Sequence, residues 1–167
     1  APRLDNLASS HAAMASLIRA QAEGAVPFTR VAVLYDHEEV GSRSAQGAAG
    51  TFLVDILDRI ASGYKGGEPQ AMPRAAAASR MISVDMAHAV HPNYPERHES
   101  GHHPVVGRGP VIKFNSNQSY ATDAETAGLF SALCQSRGIT PQQFVTRSDL
   151  ACGSTIGPFM ASQTGIR

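Results

Sequence analysis

Two short apolar segments that each end on acidic residues constrain the fold of this chain most. Residues 31–35 are apolar and partly β-branched, and Asp-His-Glu-Glu follows directly at 36–39. Residues 81–84 have a similar character and are followed by Asp85. An apolar run that stops at polar groups is typical of a buried parallel strand. We therefore predict two strands whose carboxyl ends place carboxylates at one edge of a sheet.

The rest of the chain alternates between helical and strand patterns. Apolar spacing predicts helices over 6–20, with Asp5 as N-cap, over 52–60, and over 123–137, and a last short helix after the glycine-rich stretch 152–158. Further strands are predicted at 111–114 and 144–147, and a surface loop at 63–74. This order predicts an α/β fold with a mixed, mostly parallel sheet and helices on both faces, incomplete at both ends.

One long connection is rich in histidine. Five of the seven histidines lie between positions 87 and 110, together with prolines and glycines that disfavour regular structure. Long irregular connections in a compact domain are commonly functional. We expect this loop to border the site.

Composition excludes several classes of partner. Lys plus Arg and Asp plus Glu are 14 each, so no basic field is available for nucleic acid or anionic lipid. No apolar run approaches the roughly 20 residues that span a bilayer. The two cysteines, Cys134 and Cys152, fit a reducing compartment but could also form one disulfide. We expect one cytoplasmic domain with no nucleic-acid or membrane partner.

The acidic residues at the strand ends suggest metal-assisted chemistry. Glu38 and Glu39 are adjacent, so their side chains point in different directions, and one could bind a metal while the other moves a proton. Asp85 and Asp5 could converge on the same sheet edge. The alternatives remain open at this point: a Glu-Glu pair is common on solvated loops, Asp5 could simply cap a helix, and Asp85 could face water.

Six motifs appear in the order found in the aspartyl aminopeptidases, which this chain resembles over nearly its whole length. They are Leu-Asp-Asn at 4–6, Asp-His-Glu-Glu-Val-Gly-Ser at 36–42, Ser-Val-Asp-Met-Ala-His at 83–88, His-Pro-Asn-Tyr at 91–94, Gly-Pro-Val-Ile-Lys at 109–113 and Cys-Gly-Ser-Thr-Ile-Gly-Pro at 152–158. The resemblance implies a zinc-exopeptidase-like catalytic domain. It also implies removal of N-terminal Asp or Glu from peptides by a hydrolase that carries two divalent metal ions, zinc or alternatively manganese or cobalt.

The same resemblance implies residue roles. Asp5 is expected to bridge the two metal ions, Glu39 to bind one and Asp85 the other, and Glu38 to act as the general base. Lys113 is expected to recognise the acidic side chain of the substrate, and His88 and Tyr120 are expected to line the pocket around it. His91 is expected to support the site through a hydrogen bond without touching metal or substrate. The weaker candidates are His98, His102 and His103, which could also bind adventitious metal. Cys152 and Ser154 lack the surroundings of a nucleophile.

The chain departs from the family pattern in ways that keep other functions open. Relatives use a histidine in a His-Thr-Asp segment before the Asp5 motif and another in a Met-His-Ser segment after it, and neither segment occurs here. Carboxylates alone favour harder ions such as magnesium, calcium or manganese. We expect residues 1–167 to be part of a catalytic metallopeptidase domain, lacking an upstream segment with a dimerisation domain and a downstream strand and helix. Full-length relatives form dodecamers built from dimers, and a similar homo-oligomer is expected. An inactive fragment or scaffold subunit, or a dinuclear peptidase of broader specificity, are the alternatives.

Overall fold

A computed structural model describes residues 2–64 and 68–167 as a mixed α/β arrangement. The helices are α1 (Leu4–Ala22), α2 (Phe52–Gly63), α3 (Ala71–Ala78), α4 (Ala124–Ser136) and α5 (Ile156–Thr164), the strands are β1 (Val111–Phe114) and β2 (Gln142–Val145), and 3-10 turns lie at Glu38–Val40 and Pro95–Arg97. The α/β class is thus confirmed, and the four predicted helices are present. No helix in the described residues is long and apolar enough to cross a membrane.

The strands β1 and β2 form a parallel pair joined by α4. Val111 pairs with Gln142 and Lys113 with Phe144. The crossover helix begins at a capping box, in which the Asp123 carboxylate accepts the N–H of Thr126 and the Thr126 hydroxyl accepts the N–H of Asp123. This unit fixes the position of Lys113 on β1.

Two predicted strands are wrong. Residues 31–35 and 81–84 belong to no sheet in the described part of the chain. A strand needs a neighbour for its backbone groups, and here the backbone bonds that flank these segments run instead to loops: Asp36 N–H to Gln46 O, and Met81 N–H to Arg167 O. The observed sheet is accordingly smaller than predicted.

Other sequence-based boundaries need correction as well. The second strand begins at Gln142, two residues before the predicted start, because the Gln142 side chain bonds both backbone groups of Val105 and holds this polar residue at the sheet. The predicted loop at 63–74 overlaps the start of α3, while residues 65–67 lie outside the described residues. Asp5 does not cap α1: it lies within the first turn, with φ −84° and ψ 111°. Both cysteines are free, so the disulfide alternative is wrong.

The core joins the extended segment at 31–35 to helices α2 and α5. Met160 is 1% exposed and packs with Ala48 and Leu53, and partly buried apolar residues surround them, namely Val33, Tyr35, Leu57, Met81, Ile156 and Phe159. The Tyr35 hydroxyl donates to the Met160 sulfur at 2.8 Å, and burial raises the pKa of Tyr35 to about 12. This packing anchors the segment that leads into Glu38 and Glu39.

Candidate metal centre

Four carboxylates from three separate parts of the chain lie close enough to affect one another's charge. They belong to Asp5, the adjacent Glu38 and Glu39, and Asp85. Partial burial raises the pKa of Asp5, and the neighbouring Asp85 and Glu39 carboxylates raise it further. Burial is also the largest cause of the raised pKa of Glu38, followed by Asp85, Glu39 and Asp5. Lys113 opposes both shifts. The structure therefore brings together the predicted metal and base residues as a cluster short of positive charge.

The turn that carries Glu38 and Glu39 is closed by backbone bonds. Gly41 N–H donates to Glu38 O at 2.9 Å and Ser42 N–H to His37 O at 2.8 Å. Gly41 has φ 94°, a conformation that disfavours any side chain. A Cβ on Gly47 would lie 2.2 Å from the Ser42 carbonyl oxygen, so the following loop packs directly against the turn. Tight backbone packing thus fixes the position of the two glutamates.

Asn6 links the two aspartates of the cluster. Its side-chain amide donates to the Val84 carbonyl at 2.8 Å, which ties the start of α1 to the residue preceding Asp85. The Asn6 Oδ1 atom is buried without a partner among the described residues. This role of Asn6 is not predictable from the sequence, because nothing local in the sequence reveals a bond across 78 positions.

Lys113 lies on β1 and pairs directly with the acidic cluster. Its Nζ donates to Asp85 Oδ2 at 3.0 Å and to the Met86 carbonyl at 2.9 Å, and its side chain is only 16% exposed. The second Asp85 oxygen accepts the Met86 N–H at 2.8 Å. One half-buried cation therefore neutralises part of a four-carboxylate cluster.

Tyr120 lies beside Lys113. The ammonium of Lys113 is 5.5 Å from the centroid of the Tyr120 ring, within the range of a cation–π interaction. Burial, followed by the neighbouring Cys152, raises the pKa of Tyr120, so its hydroxyl stays protonated at neutral pH. The structure thus places two predicted substrate residues side by side.

The chemistry of the cluster suits a divalent cation. Carboxylate oxygens bind zinc, manganese and magnesium. Burial and the neighbouring carboxylates raise the pKa values of Asp5 and Glu38, and the unpartnered Asn6 Oδ1 leaves a polar position to fill. Within residues 2–64 and 68–167, no group of three or more His, Cys, Asp or Glu side chains has the arrangement needed to hold a metal ion. Lys113 and Met86 each engage one Asp85 oxygen, so a cation bound by Asp85 would either share this carboxylate with the Lys113 ammonium or replace it.

The predicted histidines are placed less directly. His88 is exposed, and its carbonyl lies 3.5 Å from His98 Nε2. His91 Nδ1 accepts the Asn93 N–H at 3.1 Å, so this ring stabilises its own turn. These contacts lie within the loop and do not reach the carboxylates, and the roles of His88 and His91 remain predictions.

Two cavities lie in this region. One of about 310 Å³ borders Glu38 and is lined also by Ser42, Ser154, Thr155 and Phe159. A larger one, of about 490 Å³, lies in the histidine-rich loop among Glu96, His98, Glu99, His103 and Arg147. We assign the chemistry to the smaller cavity, because Glu38, whose pKa is raised by burial and by the neighbouring acids, lines it.

Comparison with known proteins agrees with this fold and shows the family. The whole chain, residues 1–167, matches the family described as aminopeptidase I zinc metalloprotease (M18). It is 50% identical over 165 residues to a probable M18 family aminopeptidase 2 of Pseudomonas paraeruginosa, an alignment that covers 99% of this chain and 36% of the relative. The chain therefore spans about a third of that relative's length.

Solved structures show the same similarity in three dimensions. The chain is similar to one chain in the cryo-EM structure of the Ape4 and Nbr1 complex, with TM-score 0.92 and 41% identity. The match covers 100% of this chain and 32% of that one. It is also similar to the S. cerevisiae mApe1 dodecamer, with TM-score 0.80 and 34% identity over 100% of this chain and 37% of the other. The mixed α/β fold is therefore that of solved aminopeptidase structures. The chain belongs to the M18 family of aminopeptidase I zinc metalloproteases.

Proposed function

We propose that the protein carrying this chain is a metallo-aminopeptidase that removes N-terminal Asp or Glu from peptides. The observation that supports it best is the cluster of Asp5, Glu38, Glu39 and Asp85 around the single ammonium of Lys113. Membership of a zinc metalloprotease family supports the metal-dependent part of the proposal. The acidic preference rests on Lys113.

Three residues would hold the metal ions in this proposal. Asp5 would bridge two divalent ions, while Glu39 and Asp85 would each bind one, and zinc is favoured by the family description, with manganese or cobalt as alternatives. Bound zinc would supply a water of lowered pKa and polarise the scissile carbonyl. Glu38 would accept the proton of that water on its carboxylate and deliver it to the leaving amine. Its raised pKa, which comes from burial and the neighbouring acids, suits a group that both accepts and returns a proton.

Lys113 would recognise the acidic side chain of the substrate. In the metal-loaded protein Lys113 would be freed from Asp85, and its ammonium would retain the Met86 carbonyl and the Tyr120 ring as neighbours. A half-buried ammonium that has lost its carboxylate favours a new one, because an unpaired charge away from water is costly. His88 and Tyr120 would line this pocket, and His91 would brace the loop.

Broader specificity is the second candidate, and the existing Lys113–Asp85 ion pair favours it. If Lys113 stays paired with Asp85, its ammonium cannot select acidic substrates. An inactive fragment or scaffold subunit is the third reading from the sequence. We further propose that the full-length protein is cytoplasmic and that it forms a homo-oligomer, a dodecamer built from dimers, the latter by analogy with the mApe1 dodecamer.

The first experiment compares hydrolysis of aspartyl and leucyl peptide analogues by the full-length protein, metal-loaded and after chelation. We expect a preference for aspartate that chelation abolishes, and we expect Lys113→Met to lose the preference while leucyl turnover changes little. Equal rates on both analogues would favour broad specificity. Absence of metal-dependent turnover on either analogue would favour the scaffold reading.

A further inference from the structure

A hydrogen-bonded chain outside the acidic cluster ends on the Tyr120 hydroxyl. The Thr146 hydroxyl donates to the Cys152 sulfur at 3.3 Å. The Cys152 thiol donates in turn to the Tyr120 oxygen at 3.1 Å. Thr146 directly follows β2, and Cys152 precedes α5. Three segments of the chain therefore meet at one phenol oxygen.

The Tyr120 ring is held from other sides as well. Its centroid lies 6.4 Å from that of Phe144 in an edge-on arrangement, and Phe144 is the β2 partner of Lys113. The Lys113 ammonium lies 5.5 Å from the Tyr120 centroid. The hydroxyl end of Tyr120 is thus fixed by Cys152, while its ring is packed between the strand pair and the cation.

Cys152 is the contact that holds the hydroxyl end of Tyr120. Its sulfur lies 3.1 Å from the Tyr120 oxygen and 3.1 Å from the Gly153 carbonyl oxygen, so the single thiol proton has two acceptors, and a thiol that donates to Gly153 can accept the Tyr120 O–H. In either arrangement the sulfur and the phenol remain hydrogen-bonded. A fixed Tyr120 ring in turn holds the Lys113 ammonium at 5.5 Å from its centroid, and an ammonium held in place suits recognition of a carboxylate.

We infer that Cys152 is a positioning residue that fixes Tyr120 beside Lys113, so that the Lys113 ammonium is held where it binds the acidic side chain of the substrate. This inference rests on the proposed acidic specificity. Cys152 itself does not touch the substrate, and its thiol is not consumed. The glycine-rich segment 152–158 thereby acquires a function in specificity rather than in nucleophilic attack.

The test measures kcat and KM on aspartyl and leucyl analogues for Cys152→Ala, Cys152→Ser and Tyr120→Phe in the metal-loaded full-length protein. For Cys152→Ala we expect KM for the aspartyl analogue to rise about fivefold, the usual worth of one net hydrogen bond, with the leucyl KM and both kcat values within about twofold of wild type. Cys152→Ser, which keeps a donor, should restore most of the loss. The double variant Tyr120→Phe/Cys152→Ala should be no worse than Tyr120→Phe alone.

Cys134→Ala is the matched control, because Cys134 is a buried thiol on α4 that takes no part in the hydrogen bonds between Thr146, Cys152 and Tyr120. It should lower Tm while leaving the ratio of aspartyl to leucyl KM unchanged. An unchanged ratio in Cys152→Ala, beside a clear aspartate preference in wild type, would overturn the positioning role and leave the proposed function intact. No aspartate preference in wild type would overturn both.

A second measurement is independent of catalysis. Thermal unfolding of the same single and double variants should show non-additive losses in Tm, because Cys152→Ala and Tyr120→Phe delete one shared bond. Additive losses would show that the two side chains do not interact in the folded protein, and would overturn the inference whatever the substrate preference.

Discussion

Glu38 and Glu39 are neighbours in the sequence, and the structure gives them different surroundings. Glu38 is half-buried beside the other acids, and its pKa is raised. Glu39 is exposed and contributes to the raised pKa of both Asp5 and Glu38. A partly desolvated carboxylate suits proton transfer, whereas an accessible one suits a metal ligand. The division of labour expected from the sequence is therefore physically reasonable.

Substituting each glutamate in turn should separate these roles. We expect Glu38→Gln to retain bound metal and to lose at least about 100-fold in kcat, because the amide cannot accept the proton of the water. Glu39→Gln should instead lose metal. Metal content by mass spectrometry and kcat on the preferred analogue, measured on the same samples, distinguish the two variants. Near-normal kcat in Glu38→Gln would refute its role as the base.

At the residue scale, the sequence could predict the acids but not their supports. Asp85 and the glutamates follow apolar segments, a pattern visible locally. The Asn6 bond to Val84 and the Cys152 bond to Tyr120 join positions far apart in the chain. Such contacts depend on the tertiary path of the chain, and no spacing rule encodes them. The only local signal for Cys152 was its glycine-rich surroundings, which indicated a tight turn.

At the scale of elements, local signals in the sequence identified the β1–α4–β2 unit. They did not identify the loop packing that supports the turn at Glu38 and Glu39. The capping residues Asp123 and Thr126 and the apolar strand at β1 are readable from the sequence. The contact between Gly47 and the Ser42 carbonyl is not. The Ala49 N–H also donates to Ser42 O at 3.0 Å, so the same carbonyl is both packed and hydrogen-bonded.

Gly47→Ala tests whether this loop positions the site. The new Cβ would lie 2.2 Å from a backbone oxygen, so the loop or the turn must move. We expect a loss of about 1–3 kcal/mol in the free energy of unfolding and a reduced kcat, both measured on one preparation by denaturant unfolding and steady-state kinetics.

Gly128→Ala is the control for that substitution. Gly128 lies in α4, and a Cβ there meets nothing within 4 Å. Alanine should stabilise the helix by up to about 1 kcal/mol without changing kcat. Equal behaviour of the two variants would show that Gly47 has no special packing role.

At the scale of the whole molecule, the two mispredicted strands are also less buried than the sequence pattern predicted. Val33 and Tyr35 pack on the core, whereas Leu34 between them is 52% exposed. Met81 packs on the core, but Ile82 is 61% exposed, and Ser83 and Val84 are exposed as well. The apolar runs predicted strands buried by neighbours on either side, and neither that burial nor the hydrogen-bond pairing can be predicted from the segment itself, because both depend on the neighbouring strands.

The exposed apolar side chains of these two segments lead to a prediction for a protein of the relatives' full length, of which this chain spans about a third. Extended apolar backbone is stable as a strand when neighbours satisfy its amides. We expect the amides of 31–35 and 82–84 to exchange with deuterium as slowly as those of β1 (Val111–Phe114), and far more slowly than those of the loop at 99–109. Exchange as fast as in that loop would mean that the acids follow unpaired segments, and that the turn packing and the Asn6 bond alone hold the cluster together.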